Sequence, residues 1–396
     1  MDICIVGGGP AGLMAALWAA KNGSRVTVLE QNDRPGKKLL VTGNGKCNIT
    51  NTDQDIRHYH GGDPLFAEVV LQRFTAQKTI GFFTKLGIFT KNRNGWIYPY
   101  CEQAQAVLKL LEDEARRRKV RIKTREHVTG VDRFEKGFTV HTEGWQYPAD
   151  RIILCGGGPA SSVQGSSADT MELAARLGHS IVPPLPALVP LRGRGKAYSQ
   201  WAGVRMDGMV TLYINDKECR REMGEIQFTE YGVSGIPVFQ VSIDAIRAVQ
   251  KGHHVLLTLD LLPEFTDDEL EAFLADRKDA RRGLTDQELF VGLLPDKMIR
   301  VITGKSPRTP EAYAKLLKAY PVPVKGAHSL ERAQVCSGGV SLSEVNPMTM
   351  ESRLVPGLYF AGEILDVCGD CGGYNLQWAW STGALAGRAA SHRDNS

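Results

Sequence analysis

The chain has 396 residues, 42% hydrophobic and 23% charged, with a formal net charge of +4. That length suits two or three domains around a substantial core, and the composition is that of an ordinary soluble globular protein. So small a charge does not by itself call for nucleic acid, no run of about 18 apolar residues offers a membrane span, and eight cysteines are too sparse for a disulfide scaffold.

Met1 leads directly into an apolar run without a basic lead or a cleavage site, so a cytoplasmic location is expected. Ile3, Cys4, Ile5 and Val6 read as a short strand, residues 10–18 as an alanine-rich helix, and residues 25–29 as a second strand: a β-α-β unit. Strands that are apolar without alternation fit a parallel sheet covered on both faces. Gly7, Gly9 and Gly12 satisfy G-x-G-x-x-G at the turn. The first glycine allows the tight bend, the second lets a pyrophosphate approach, and the third lets helix and strand pack, with the helix N-terminus facing the phosphates. Glu30 closes the next strand, where a carboxylate binds ribose hydroxyls. The pattern alone is weak in a chain with 42 glycines; its strand-turn-helix setting gives it meaning.

His58 and His60 alternate like strand residues with no further ligand nearby in sequence, and no metal is assigned. Trp96, Tyr98 and Tyr100 gather aromatics suited to a flat apolar pocket, with core packing as the alternative. Residues 101–119 read as a helix with Val107, Leu108, Leu111 and Ala115 on one face. Its basic end, Arg116 to Lys119, and the later group Arg277, Lys278, Arg281 and Arg282 are read as solvated faces. Strands follow over 120–155.

Gly156, Gly157 and Gly158 then echo the first cluster, but Ser161 stands where the third glycine would fall. Residues 161–166 are loop-like, the next helix starts near Ala168, and residues 178–190 carry four prolines and no acid. One dinucleotide site is therefore expected, with the second glycine run passing close to the same ligand.

The texture changes after 190: short strands over 203–228, a helix at 237–250, a strand at 253–260 and polar helices over 266–320. Sheet texture returns at 354–362, and a final helix is expected at about 376–392. The expected organisation is α/β, with a split nucleotide-binding domain at 1–190 and 334–396. An inserted β-plus-α domain at 191–333 is β-rich to about 260 and helical over about 261–325.

With the first cluster and Glu30, the block from Arg34 to Asn51 resembles the flavoproteins of glutathione-reductase type with two dinucleotide-binding domains. More narrowly, it resembles the bacterial NAD(P)/FAD-dependent oxidoreductase family that includes aminoacetone oxidase and the bile-acid-inducible flavoprotein. The similarity continues through residues 228–235, 337–340, 362–366 and 372–377, and so spans nearly the whole chain. Residues 43–48 and the acidic Glu230 make the bile-acid-inducible member the nearer match.

The resemblance implies a Rossmann-like FAD-binding domain whose cofactor is roofed by the insert. Gly7, Gly9, Pro10, Ala11 and Gly12 would meet the pyrophosphate, Glu30 with Gln31 the adenosine ribose, Lys37 or Lys38 the adenosine side, and Val128 the adenine. Gly43, Asn44, Lys46, Cys47 and Asn48 would run beside the flavin, with Gly156 and Gly157 near the ligand and Gly362 with Glu363 at the ribityl chain. The amides of Gly373, Tyr374, Asn375 and Leu376 would face the flavin ring. Unpaired N–H groups at a helix start also suit the negative charge of a reduced flavin.

Candidate acids are Tyr374 and Glu230. Family members often carry His at the latter position, so that role does not transfer, and plain surface charge is the alternative. Gly232 to Gly235 is not a hydrolase elbow, because Ile236 stands where glycine is required. For Cys47, between Lys46 and Asn48, a packed thiol is the preferred reading over a place at the flavin.

The implied function is hydride transfer through flavin N5. It would be an NAD(P)H-linked reduction of an activated C=C bond in a small organic substrate, with NAD(P)H as a transient donor. Alternatives are an oxygen-using aminoketone oxidase, a thiol–disulfide oxidoreductase using Cys368 and Cys371, and an RNA-binding or RNA-modifying flavoprotein. The basic clusters lack interleaved aromatics, so nucleic acid is not the expected partner. No membrane partner is expected, and the sequence is silent on oligomeric state.

Overall fold

A computed structural model of the chain describes residues 1–195, 197–280, 283–304 and 308–392; Arg281 and Arg282 of the second basic group lie outside them. The chain divides into two compact units, Met1–Leu185 with Val335–Ser396, and Pro186–Gln334.

The first unit is built on a parallel sheet of five strands. Strand β1 (Asp2–Val6), helix α1 (Pro10–Lys21) and strand β2 (Arg25–Glu30) form the opening β-α-β unit. The sheet order is Leu358–Phe360, Arg151–Leu154, β1, β2, Arg121–Thr124. Ile3 to Val6 are at most 5% exposed, which is why β1 shows no polar alternation. The chain leaves β1 toward β2 on one side and returns beside β1 on the other, as Arg151–Leu154. The order thus reverses at β1, and in open sheets of this kind ligands bind outside the carboxyl ends of the strands at such a reversal. Both glycine runs follow those carboxyl ends.

The basic run at the end of helix Ala104–Arg117 is only partly solvated, against expectation. Arg118 joins Arg117 on Glu114 and donates 2.6 Å to the carbonyl of Leu17, fixing this helix to α1. The last helix, Tyr374–Ala390, also packs on α1. A Cβ on Gly383 or Gly387 would strike the carbonyl oxygens of Ala11 or Ala15, so glycine lets the two backbones meet.

Along that helix Gln377, Ser381 and Thr382 are fully buried, and each is satisfied. Gln377 accepts from Thr50 Oγ1 (2.6 Å) and donates to Phe74 O (3.1 Å). Ser381 donates to Phe74 O (2.7 Å), and Thr382 accepts from the Gly362 N–H (2.9 Å).

The second unit holds a closed barrel of six strands: Leu191–Gly193, Gly232–Ser234, Lys217–Thr229, Arg205–Ile214, Val255–Asp260 and Tyr320–Ala327. Where short strands were expected over 203–228, two long ones of 10 and 13 residues form a hairpin. Asn215 and Asp216, both at positive φ (49° and 63°), make its two-residue turn. Helix Ile236–Gln250 packs on the barrel, and helices Asp267–Ala280, Asp296–Thr303 and Pro310–Lys318 lie among the residues of the expected polar stretch.

Candidate active site

At the end of β1 Gly7 sits at φ +103°, and a Cβ there would lie 2.7 Å from the carbonyl oxygen of Cys155 and 2.9 Å from Cα of Gly156. A Cβ on Gly12 would strike the Gly7 carbonyl, whereas Gly9, the N-cap of α1, faces open space. No side chain caps α1, and Pro10 has no N–H to leave unpaired, so the free amides of its first turn are available to a ligand. The second glycine run lies directly alongside: the Cys155 N–H donates 2.8 Å to Val6 O. Gly156 and Gly158 are glycine because the Thr170 side chain and Cys336 Sγ fill their Cβ positions, while Gly157 takes φ +76°. The two look-alike strands therefore frame one place.

Glu30 is 7% exposed. Its Oε2 accepts from the Gly8 N–H (2.8 Å), and its Oε1 from Asn32 N (2.9 Å) and Nδ2 (2.7 Å). Gln31 donates 2.7 Å to Gly165 O. Lys37 holds Asp33 and Gln164 at 2.6 and 2.7 Å, keeping the Asp33 carboxyl below its usual range. Lys38 pairs with Glu363 Oε2 (2.6 Å), and Glu363 Oε1 accepts from Cys336 N (2.9 Å). Val128 is buried in strand Val128–Arg133, paired with Thr142. The chain thus draws residues 30–38, 164–165 and 363 together by polar contacts.

After helix Lys37–Val41 comes a loop with Gly43, Asn44, Gly45 and Cys47 all at positive φ (56°, 54°, 82° and 58°). Asn44 and Cys47 have side chains, so this backbone is strained, a feature found where structure serves a site. Cys47 is fully buried and its thiol is pushed up to about 12 by burial, the packed-thiol reading. Asn48, 6% exposed, has neither Nδ2 nor Oδ1 paired.

Facing it, Gly373 (φ +95°) begins the last helix; a Cβ there would come within 2.7 Å of Thr50 O and 2.9 Å of Asn48 Oδ1. No side chain caps this helix. Asn375 instead turns back to Gly369, donating to its O (2.7 Å) and accepting from its N–H (2.8 Å), while Leu376 is buried. Gly362 accepts 3.1 Å from Trp378 Nε1, and a Cβ on it would meet Ala11 at 2.8 Å. One helix therefore ties the 43–48 loop, Gly362 and α1 into a single arrangement.

Tyr374 lies in a cluster that sequence reasoning missed. Its ring stacks on His58 at 4.5 Å and 19°. His58 Nδ1 is 3.0 Å from Asp370 Oδ2 and its Nε2 is 3.1 Å from Asp53 Oδ2, while His60 Nε2 is 2.8 Å from Asp370 Oδ1. Burial, with the charges of Asp53 and Asp370, raises the Tyr374 phenol well above its ordinary value. The two histidines thus share a buried carboxylate. Among the described residues no group of three or more His, Cys, Asp or Glu could hold a metal ion.

Cys368 is 1% exposed in strand Val367–Gly369, opposite His60, and is not disulfide-bonded to Cys371. Glu230 belongs to the second unit. It is exposed on the turn before Gly232–Ser234, at a shallow pocket of about 330 Å³ shared with Arg205 and Tyr231.

A family model described as HI0933-like protein Rossmann domain matches residues 1–389. The 3-dehydro-bile acid delta(4,6)-reductase of Clostridium scindens is 42% identical over 405 aligned positions, covering 99% of each chain. The ribosomal RNA dihydrouridine synthase of Escherichia coli is 31% identical over 397 positions, covering 96% of each. Among solved structures, 3-ketosteroid delta1-dehydrogenase from Sterolibacterium denitrificans superposes with a TM-score of 0.51 at 12% identity, covering 98% of this chain and 99% of that one. At that identity it speaks to the fold alone.

Proposed function

The chain belongs to the HI0933-like Rossmann family and is an FAD-dependent oxidoreductase, and from that premise we propose that it reduces a C=C bond conjugated to a carbonyl in a flat, apolar small molecule, with NAD(P)H as the transient donor. The observation that carries the reading is the 42% identity to the bile acid reductase across 99% of both chains. None of the eight cysteines is in a disulfide. No described helix is long and apolar enough to cross a membrane.

The residues fit the cofactor at both ends. The uncapped start of α1 beside Gly7, Gly9 and Gly12 would hold the pyrophosphate, Glu30 the ribose, and Lys38 with Glu363 the chain between. Asn48, whose buried amide has no partner in the protein, and the uncapped start of the last helix at Gly373 to Leu376 would hold the ring. Bound there, FAD would supply two-electron redox chemistry between a nicotinamide donor and an electron-poor carbon.

The protein's own part is positional and electrostatic. The helix start sets positive potential beside the 43–48 loop. The raised phenol of Tyr374 keeps its proton on Oη at neutral pH, so it can donate a hydrogen bond or a proton without first being charged. Glu230 takes no part in this reading.

Anaerobic mixing of the FAD-loaded protein with NADH or NADPH should bleach the flavin, and a 3-oxo-4-ene steroid should restore the colour while losing its C=C bond. Bleaching by an aminoketone but by neither nucleotide would instead establish the oxidase alternative. Tyr374→Phe should lower kcat by on the order of 10²-fold with FAD affinity within about twofold; an unchanged kcat removes the tyrosine from the chemistry.

A second reading, reduction of a base in RNA, is favoured by the 31% identity to the dihydrouridine synthase. Tight RNA binding that weakens steeply with salt would select it.

A further inference from the structure

We propose that the strand pair Thr90–Arg93 and Trp96–Pro99 is the docking platform for the substrate and selects an anionic one: a flat polycycle resting on Trp96 and Tyr98, with its carboxylate held by Lys46, Lys91 and Arg93. The idea of a flat ring body rests on the reductase reading above; the preference for an anion does not.

Strand Trp96–Pro99 alternates strictly. Ile97 and Pro99 are buried, while Trp96 and Tyr98 share the other face and are only half-buried. Trp96 Cε2 lies 3.4 Å from the Cβ position of Gly372, and Tyr98 Cε1 lies 3.6 Å from that of Gly43. The two rings therefore stand against both glycine loops of the candidate site. Aromatic faces left half-open beside such a site suit a flat apolar molecule.

The register adds charge. Arg93 is paired opposite Trp96 and Lys91 opposite Tyr98. Glu102, on the turn after the strand, meets Lys91 at 2.5 Å, Lys46 at 3.3 Å and Arg93 as well. The Glu102 carboxyl is held down to about 2, mainly by its bond to Lys91.

Three cations thus share one carboxylate and leave an excess of two positive charges. Lys46 and Arg93 are about half exposed (47% and 54%), while Glu102 is largely covered (19%). A purely structural ion pair needs one cation. The surplus, wet and next to the two rings, is complementary to a second carboxylate carried by an apolar body.

The test is equilibrium binding to the FAD-loaded protein without reductant, using 3-oxochol-4-en-24-oate and its methyl ester as probes. The acid should bind roughly tenfold tighter than the ester at low salt, and the gap should narrow as salt rises. Replacing Lys91 and Arg93 together by Met should bring acid and ester within about twofold of each other. Trp96→Leu should weaken both by roughly tenfold.

Glu102→Gln frees the cations and should tighten the acid alone by at least about threefold, an outcome that a damaged fold would not produce. Equal affinity for acid and ester in the parent protein overturns the proposal, as does a gap that survives in the double variant. So does a double variant that loses bleaching by NADPH while keeping its steroid affinities, which would give the cations to the dinucleotide. A protein that discriminates acid from ester but reduces neither sinks the reductase reading and keeps the platform; one that reduces both without preference does the reverse.

Discussion

Both amide atoms of Asn48 are buried without a partner, and leaving a buried polar group so costs about 1–3 kcal/mol. A residue that burdens the free protein in this way is explained if its partners arrive with the cofactor. Asn48→Leu, which keeps the branching and heavy-atom count but removes both polar atoms, should raise the stability of the FAD-free protein by about 1–2 kcal/mol in denaturant titration. The same change should weaken FAD by at least about tenfold, read from flavin fluorescence. A leucine variant that is less stable and binds FAD as before would take Asn48 out of the site. His58 and His60 show why such groupings escape sequence reasoning. Their alternation was visible, but the acid they share lies 312 and 310 residues away, and only the pairing of Tyr59–Gly61 with Val367–Gly369 brings it to them. Asp370 also sat inside a C-x-x-C spacing, which drew attention to the thiols rather than to the carboxylate between them.

The last helix shows two opposed effects of one methyl group. Alanine is better than glycine in a helix interior by about 1 kcal/mol, but a Cβ at Gly387 would drive into the Ala15 carbonyl of α1, and overpacking costs typically 1–3 kcal/mol. The clash is with backbone, which cannot swing aside, so Gly387→Ala should lose up to about 2 kcal/mol net. Gly81, in helix Ala76–Lys85, has nothing within 4 Å of its Cβ position. Gly81→Ala should therefore gain up to about 1 kcal/mol, and equal effects at the two sites would refute the packing argument. The opening β-α-β unit was legible because its glycines, its apolar strand and Glu30 all fall within thirty residues. The last helix was legible as a helix, but its function in the core was not. Gln377, Ser381 and Thr382 are polar yet fully buried, and their partners Thr50, Phe74 and Gly362 come from other segments. Closure of the barrel was hidden for the same reason, since it joins residues 191–193 to 324–327.

For the molecule as a whole, the buried acids of the thiol and phenol kind set one boundary of stability. Burial pushes Cys4 and Cys47 up to about 12 and raises Cys155, Cys336 and Tyr59 well above their ordinary values. Each is neutral in both the folded and the unfolded chain below pH 9, the ordinary thiol value, so none affects stability at neutral pH. Above it the unfolded chain sheds thiol protons that the folded chain retains. Folded pKa values raised in this way mean stability that is full below about pH 9 and is lost progressively as pH climbs toward 12. At one pH unit past the unfolded value a single group accounts for roughly 1.4 kcal/mol. Four buried thiols together thus reach the scale of the net stability of a typical fold, about 5–15 kcal/mol. Denaturation midpoints under reducing conditions should be level from pH 7 to about 8.5 and fall steeply by pH 10. Cys4→Ala with Cys47→Ala should flatten that fall, although each change also removes packing and lowers the neutral-pH midpoint. A parent protein whose midpoint stays level to pH 11 would mean that these thiols ionise in the folded chain, and hence that water reaches the back of the sheet that frames the cofactor turn.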